Sequence, residues 1–407
     1  MTERNGILIS TKLTTTNNGN QALSDELIRL AQQVSPERLF IRGRPLGLDR
    51  YTINDIAKAD NPIKAFEKTA QSLASAKIDG SIEQGSKQVK TRLINHASSI
   101  ARTENLRSIA RKIRRFLNST RPFGIGYKDR LVLYKGIEHY LYSAAGEIGE
   151  VGYYYRQLLD LRVAQIQGIR VSAINQSVEL EKGLYKDLTG YVYSKMHRIN
   201  LRGVTSKNEL VDIGVPEKII TLSPDTAWLT PSVPNEFIKT NTARIGVNFT
   251  PATFKKEIVV PFLSRLRNEG YTLEFISNNY FADKAVEKEL EGIVEKCTSA
   301  DLSYIDYVEH LSQFRFVISA RLHTNELALV AGVPVLPVEG RHFKTQEVME
   351  LVGYPCQVAR SSSETFSDEL NRLFEFLVAN ESRIDSWIKE QLPVIRKSAE
   401  MNMRILE

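Results

Sequence analysis

The chain has 407 residues, 42% hydrophobic and 25% charged, a balance that fits a globular protein of two or three domains. No run approaches the ~18 consecutive apolar residues of a spanning helix, and Met1-Thr2-Glu3-Arg4-Asn5 leads into no secretory-type apolar stretch. The two cysteines, Cys297 and Cys356, form no CxxC pair, which argues against a disulfide framework or a structural zinc and for a reducing cytoplasm.

Taken in chain order, short β-branched runs alternate with helical stretches. Gly6-Ile7-Leu8-Ile9-Ser10 reads as a first strand. The polar turn Thr14-Thr15-Thr16-Asn17-Asn18-Gly19-Asn20 follows, then a helix carrying Leu27, Leu30, Ala31 and Val34. Such a turn either caps the helix with Asn or offers its free backbone N–H groups to an anion.

Between Lys87 and Arg130 fall twelve Lys or Arg against two acids, Glu104 and Asp129. With a net charge of +6, the rest of the chain sums to −4, so the basic excess is local. Leu93, Ala97, Ile100, Leu106, Ile109, Ala110, Ile113, Phe116 and Leu117 recur there at helical spacing. Arg102, Arg107, Arg111, Arg114 and Arg115 lie largely off that stripe. The segment reads as a basic helical insertion, about 60–130. It either packs on its own domain or docks 87–130 on an anionic membrane surface. It lacks the interleaved aromatics of a single-strand binder, so no nucleic acid partner is expected.

Strands are expected next at Leu131-Val132-Leu133-Tyr134, Arg170-Val171-Ser172-Ala173-Ile174 and just before Arg202, then at Lys218-Ile219-Ile220-Thr221-Leu222. Two prolines in Thr230-Pro231-Ser232-Val233-Pro234-Asn235 break the pattern and mark a boundary. Beyond it come strands at Arg244–Phe249, Thr272–Ser277, Phe316–Ser319 and Val333–Val338. Near-continuous apolar runs suit parallel strands covered on both faces. The organisation that follows is α/β, with two doubly wound Rossmann-like domains at 1–235 and 243–385. A C-terminal helix over 386–407, after a break at Pro393, could cross back.

Three motifs sit at the carboxyl edges of these strands. The first is the Asn18-Gly19-Asn20 loop. The second places Arg202 at a strand end, with Ser206 shortly after and Asp225-Thr226-Ala227 past the next strand; a cap and a turn would explain it equally. The third is the sharpest. Arg321-Leu322-His323 leaves a strand beside a helix start, and Glu339 and Lys344 follow the next strand. A guanidinium fork, an imidazole and free amides make a strong anion site, and the imidazole can carry a proton near neutral pH.

On Ser319-Ala320-Arg321-Leu322-His323 with Gly332-Val333-Pro334 and Lys344, on Arg202, Ser206 and Asp225-Thr226-Ala227, and on Asn18-Gly19-Asn20-Gln21-Ala22-Leu23, the chain resembles the polysaccharide pyruvyltransferase family. That family acts in capsule, exopolysaccharide and cell-wall polymer synthesis. The resemblance implies a GT-B-like pair of domains, the second on the donor side and the first on the acceptor side, with phosphoenolpyruvate as donor and a saccharide as acceptor. Three departures stand out. Asn20 replaces a usual Asp after Gly19, Lys135-Gly136-Ile137-Glu138 replaces a glycine-rich turn, and Asn175-Gln176-Ser177 stands where Gly-Gln-Ser is usual.

The expected chemistry needs cations for a phosphate and a carboxylate, and neither a metal nor a cofactor. Arg202, Arg321, Leu322, His323 and Lys344 are the expected donor-binding residues. His323 is the expected proton donor, and Asp225 and Glu339 are the candidate bases. The acceptor could be lipid-linked, with the protein peripheral at the inner membrane face. The rival is a GT-B glycosyltransferase with a nucleotide-sugar donor. His323, Glu326 and Gly332-x-Pro334 also match a pattern in which a Glu holds the ribose.

Overall fold

The structure is a computed structural model. It describes residues 5–11, 17–34, 39–42, 48, 52–75, 134, 136–143, 154–180, 183–232, 243–299, 301–340 and 343–406. Two parallel sheets organise them. The first has six strands: β1 (Gly6–Ser10), β2 (Leu39–Arg42), β3 (Ile137–Ser143), β4 (Arg170–Gln176), β5 (Arg198–Leu201) and β6 (Ile220–Leu222). Their order is β2-β1-β3-β4-β5-β6. The second holds β7 (Arg244–Asn248), β8 (Thr272–Phe275), β9 (Phe316–Ser319) and β10 (Val335–Pro337), in the order β10-β9-β7-β8. Each sheet therefore has a point where strand order reverses, between β1 and β3 and between β7 and β9, and ligands of open α/β sheets gather at such points.

Burial explains the strand pattern. All five residues of β1 are buried. Ile7 and Ile9 enter one core cluster while Leu8 enters another, so the sheet is covered on both faces. The first cluster also runs into the second sheet. Ala22, Leu23 and Leu27 of the Asn18–Val34 helix pack with Ala227 and Trp228, and with Leu327, Ala328 and Val330 of the Leu322–Val330 helix. One apolar core thus joins the two halves behind their carboxyl edges. The fold is α/β with two Rossmann-like halves, as the alternation of strands and helices implies.

Some expectations need correction. Of the strand expected at Leu131–Tyr134, 131–133 lie outside the described residues, and the strand described next in the chain is β3 at Ile137–Ser143. Gly136, at φ 88°, turns the chain into β3, and its carbonyl accepts from the Gly6 amide at 2.8 Å. Gly136 is therefore a lead-in to a strand that Ile137 and Glu138 begin. The polar Glu138 and His139 hid that strand from an apolar-run criterion. β2 was not anticipated at all.

Pro393 does not break the last long helix, which runs Glu381–Ala399 with the proline inside it. Pro393 and Lys389, whose carbonyl loses its helical partner, are both exposed, so water can satisfy that carbonyl. This helix returns to the first half: the Arg396 side chain donates to the carbonyls of Trp228, at 3.1 Å, and Thr230, at 2.5 Å. The basic segment 87–130 and the linker 233–242 lie outside the described residues.

Candidate functional site

The strand ends deliver the site. Ser177 follows β4 and Arg202 follows β5. Asp225 follows β6 and caps the short Thr226–Leu229 turn of helix, accepting from the Ala227 amide at 3.0 Å. From the other sheet, His323 lies in the first turn of the Leu322–Val330 helix after β9. Gly19 lies in the first turn of the Asn18–Val34 helix after β1.

Arg202 and Asp225 form the centre. Nη1 of Arg202 donates to Oδ2 of Asp225 at 2.7 Å, with side chains 1% and 0% exposed. Arg202 Nε donates to Ser177 Oγ at 3.2 Å. His323 Nε2 reaches this pair from the other half, 3.5 Å from Arg202 Nη1 and 3.5 Å from Asp225 Oδ2. A second carboxylate, Glu326 Oε2, lies 3.8 Å from the same nitrogen. Burial by itself would raise the Asp225 carboxyl, but His323 and Arg202 overcome it and bring the group to about 2. Glu326 goes the other way, raised well above the usual carboxylate range first by burial and then by the Asp225 charge. Two adjacent carboxylates are thereby driven apart, a pattern that assigns acid and base roles in many active sites.

Shape fixes the imidazole. A β-carbon added at Gly19 would stand 2.1 Å from His323 Cβ and 2.4 Å from its Nδ1, a contact real side chains do not make. Glycine is required there for close approach. It lets the start of one half's helix lie directly on the other half's histidine. With Nε2 turned inward to Asp225 and Glu326, Nδ1 is the nitrogen toward that helix start.

A further contact bridges the halves. Glu347, in the Lys344–Val352 helix, accepts from the Ser206 amide at 3.1 Å and from Ser206 Oγ at 2.9 Å. Its carboxylate thus lies at the N-terminus of the Val204–Asp212 helix, where backbone amides favour negative charge. A Cβ at Gly203 would fall 2.5 Å from Glu347 Cβ, so the two helices touch at backbone distance. Burial raises the Glu347 carboxyl, and hydrogen bonds from Ser177 and Ser206 partly offset this.

The other expected residues divide. Arg321 leaves β9 beside His323 but turns to its own half, where its Nε donates to Asp283 Oδ2 at 3.2 Å and its Nη2 to Oδ1. Asp283 is completed by Asn248 Nδ2 at 3.0 Å and Ser277 Oγ at 2.7 Å. Leu322 packs on the core. Glu339 accepts from the Ser362 amide at 3.0 Å and Ser362 Oγ at 2.8 Å, so the structure brings it to that loop and not to the Asp225–His323 cluster. Lys344 opens the helix that carries Glu347. The Asn18 amide donates to the Asn278 carbonyl at 2.9 Å, and the Asn20 amide to Asn17 Oδ1 at 3.0 Å, so this loop is both capped and stitched to the second half.

Sequence reading missed Glu347, met Ser177 only within the Asn175-Gln176-Ser177 motif, and met Glu326 only as part of a rival pattern. The signal for Glu326 was its spacing: three residues after His323, it shares that residue's helix face. Asn175 has an explanation too. It sits at φ 58°, where glycine is the easy choice and Asn the next most tolerant residue. Its side chain accepts from the Thr226 amide at 3.1 Å and donates to Thr226 Oγ1 at 2.9 Å. The change from the usual glycine thus preserves the bend and adds a strut beside Asp225.

Ligand atoms of Asp225, His323 and Glu326 lie within 4.8 Å of one another. The Asp225 oxygen nearest to His323 accepts from Arg202, so a guanidinium of the chain itself neutralises this carboxylate. We assign no metal here.

Comparison with known proteins agrees with this architecture. At 14% identity and a TM-score of 0.53, the chain is similar to a UDP-GlcNAc 2-epimerase from Neisseria meningitidis bound to UDP-GlcNAc, covering 98% of each chain. A glycosyltransferase from Rickettsia africae matches at 10% identity and TM-score 0.53 over 100% of both chains. The Anabaena protein HepE in complex with UDP matches at 10% and 0.52, covering 98% of this chain and 97% of that one. These likenesses establish a GT-B type fold. No curated protein sequence matches the chain. Among the described residues no helix is long and apolar enough to cross a membrane. The sequence matches the polysaccharide pyruvyl transferase family over residues 19–342, a span that takes in both sheet edges and every residue of the Arg202–Asp225–His323 cluster, and the chain belongs to that family of transferases.

Proposed function

We propose that the protein transfers pyruvate from phosphoenolpyruvate to two hydroxyls of one sugar in a cell-surface polysaccharide precursor, forming a ketal. The observation that carries this reading is the 3.5 Å meeting of Arg202 and His323 from the edges of different sheets. It joins an anion-binding group to a proton-transfer group. The donor brings a phosphate and a carboxylate. Arg202, Lys344 and the starts of the Asn18–Val34 and Leu322–Val330 helices are the groups of matching sign.

In this reading Asp225 stays ionised and orients His323 through Nε2, leaving Nδ1 to the donor. The imidazolium protonates the methylene carbon of the enol phosphate. The resulting oxocarbenium-like centre, adjacent to the Asp225 carboxylate, takes one sugar hydroxyl. Neutral His323 then accepts that hydroxyl's proton, the C–O bond to phosphate breaks, and the second hydroxyl closes the ketal as its proton passes to the departing phosphate. Arg321, paired with Asp283, shapes the β9 edge and is not assigned to the donor.

The basic segment 87–130 would meet an anionic membrane carrying a lipid-linked acceptor.

The test is phosphate release from phosphoenolpyruvate with lipid-linked or aryl glycosides, together with thermal shifts. Phosphoenolpyruvate is expected to raise the melting temperature by mass action. A shift with UDP- or CMP-sugars and none with phosphoenolpyruvate would overturn the reading.

A further inference from the structure

Glu347 joins the two halves through a short chain of hydrogen bonds. Its carboxylate belongs to a residue only 2% exposed. It accepts from the Ser206 amide at 3.1 Å and from Ser206 Oγ at 2.9 Å. That hydroxyl oxygen in turn accepts from the Val178 amide at 2.8 Å. With its oxygen serving Val178, the hydroxyl has its proton left for Glu347. The chain thus runs from just past β4, through the start of the Val204–Asp212 helix, into the Lys344–Val352 helix of the second half.

Two cations are tied to this contact. Arg202 directly precedes Gly203, where an added β-carbon would fall 2.5 Å from Glu347 Cβ. Lys344 stands three residues before Glu347, so it shares that helix face, about 4.5 Å nearer the helix start. One cation from each half therefore stands beside a single contact between the halves. Glu347 itself lies beyond the family match, which ends at residue 342.

We propose that Glu347 is a positioning residue: it latches the Lys344–Val352 helix onto the first half and so sets the distance between Lys344 and Arg202 to suit one donor molecule. The inference rests on the pyruvyl-transfer reading for the identity of that donor. Lys344 and Arg202 belong to different sheets, so neither half alone fixes their separation. Hydrogen bonds to one carboxylate fix it, at a place where the backbones leave no slack. Glu347 touches no reacting atom in this reading. Its loss bears on donor binding more than on proton transfer, because Arg202, Asp225 and His323 hold one another through separate contacts.

The test uses three variants of the full chain. Glu347→Ala removes the latch, Glu347→Gln keeps an acceptor oxygen for Ser206, and Ser206→Ala removes the hydroxyl from the other side. The readouts are hydrogen exchange at the Ser206 amide, melting temperature, and steady-state phosphate release from phosphoenolpyruvate. In Glu347→Ala the Ser206 amide is expected to exchange at least about tenfold faster than in wild type. Donor KM is expected to rise on the order of tenfold, with kcat within about threefold of wild type. Glu347→Gln should bring KM back to within about threefold. Combining Glu347→Ala with Ser206→Ala should raise KM no further than Glu347→Ala alone, since both remove one contact. If Glu347→Ala does not fold, Ser206→Ala carries the same KM comparison. A wild-type donor KM in these variants, alongside a lowered melting temperature, would mean that the contact only stabilises and would overturn the proposal. Unchanged Ser206 exchange in Glu347→Ala would overturn it as well. The exchange arm needs no donor, so it decides whether the latch exists even for a protein that releases no phosphate, an outcome that would end the pyruvyl reading instead.

Discussion

Among the described residues two arginines follow strand ends, each paired with a buried aspartate, and they do different things. Arg202 after β5 is 1% exposed, and its pair with Asp225 receives His323 from the opposite half. Arg321 after β9 is 24% exposed and binds Asp283, which belongs to its own half and holds two other donors. The same Arg–Asp chemistry is a shared hub in one place and an internal brace in the other. What separates them is the partner's address: Asp225 meets His323 of the opposite half, and Asp283 is held by Asn248, Ser277 and Arg321 of its own.

The largest expected effect comes from the hub. Arg202→Met should cost about 3–5 kcal/mol, because Asp225 is left as an uncompensated buried charge, and phosphate release should vanish. Adding Asp225→Asn to that variant should recover part of the stability but none of the activity, a coupling that denaturant midpoints would read. Additive losses would deny that the pair acts as a unit.

Gly19→Ala should come next. A new β-carbon 2.1 Å from His323 Cβ forces the two halves apart locally, costing roughly 1–3 kcal/mol. kcat should drop more than donor affinity. Asn20→Asp, one residue on, should leave stability within about 0.5 kcal/mol of wild type.

The brace should matter less. Arg321→Ala leaves Asp283 with Asn248 and Ser277, so a loss of about 1–2 kcal/mol in unfolding free energy is expected, with donor KM nearly unchanged. A large rise in KM for phosphoenolpyruvate would erase the contrast between the two arginines and return Arg321 to the donor.

The smallest effects are pH differences. Asp225 is lowered in the folded state from an ordinary 3.8 to about 2. Its contribution is full above about pH 4 and lost as pH falls toward 2. Glu326 is raised from an ordinary 4.5, so its favourable contribution is present below that value and lost as pH rises through its folded-state titration. Stability of wild type relative to Asp225→Asn should therefore shrink between pH 4 and 2. Relative to Glu326→Gln it should shrink above pH 4.5. Urea unfolding of the three proteins across this range measures both signs.

The strands at 170–176, 244–248 and 316–319 were legible because buried parallel strands read as apolar runs, and the residues that follow them were legible with them. Arg202, Asp225 and His323 were named from their positions at strand ends, and the structure brings them within 3.5 Å. The direction of a side chain after a strand was not legible. Arg321 and Glu339 stand at the expected edge yet point to Asp283 and Ser362, partners set by tertiary packing. Glu347 was invisible for the same reason: its partner Ser206 lies far away in the chain, and no local pattern announces a carboxylate placed on another half's helix. β3 was missed because Glu138 and His139 interrupt its apolar signal, although His139 is buried.

The Gly19–His323 contact also limits how this protein can be recombined. The two residues come from opposite ends of the family match, and they fit by shape alone, with no charge or hydrogen bond to tune. A chimera joining the first half of one relative to the second half of another would inherit a working cleft only if its position 19 stays bare of a β-carbon. Exchange of the two halves is then open along lineages that keep this glycine and closed to the rest, however similar their charges.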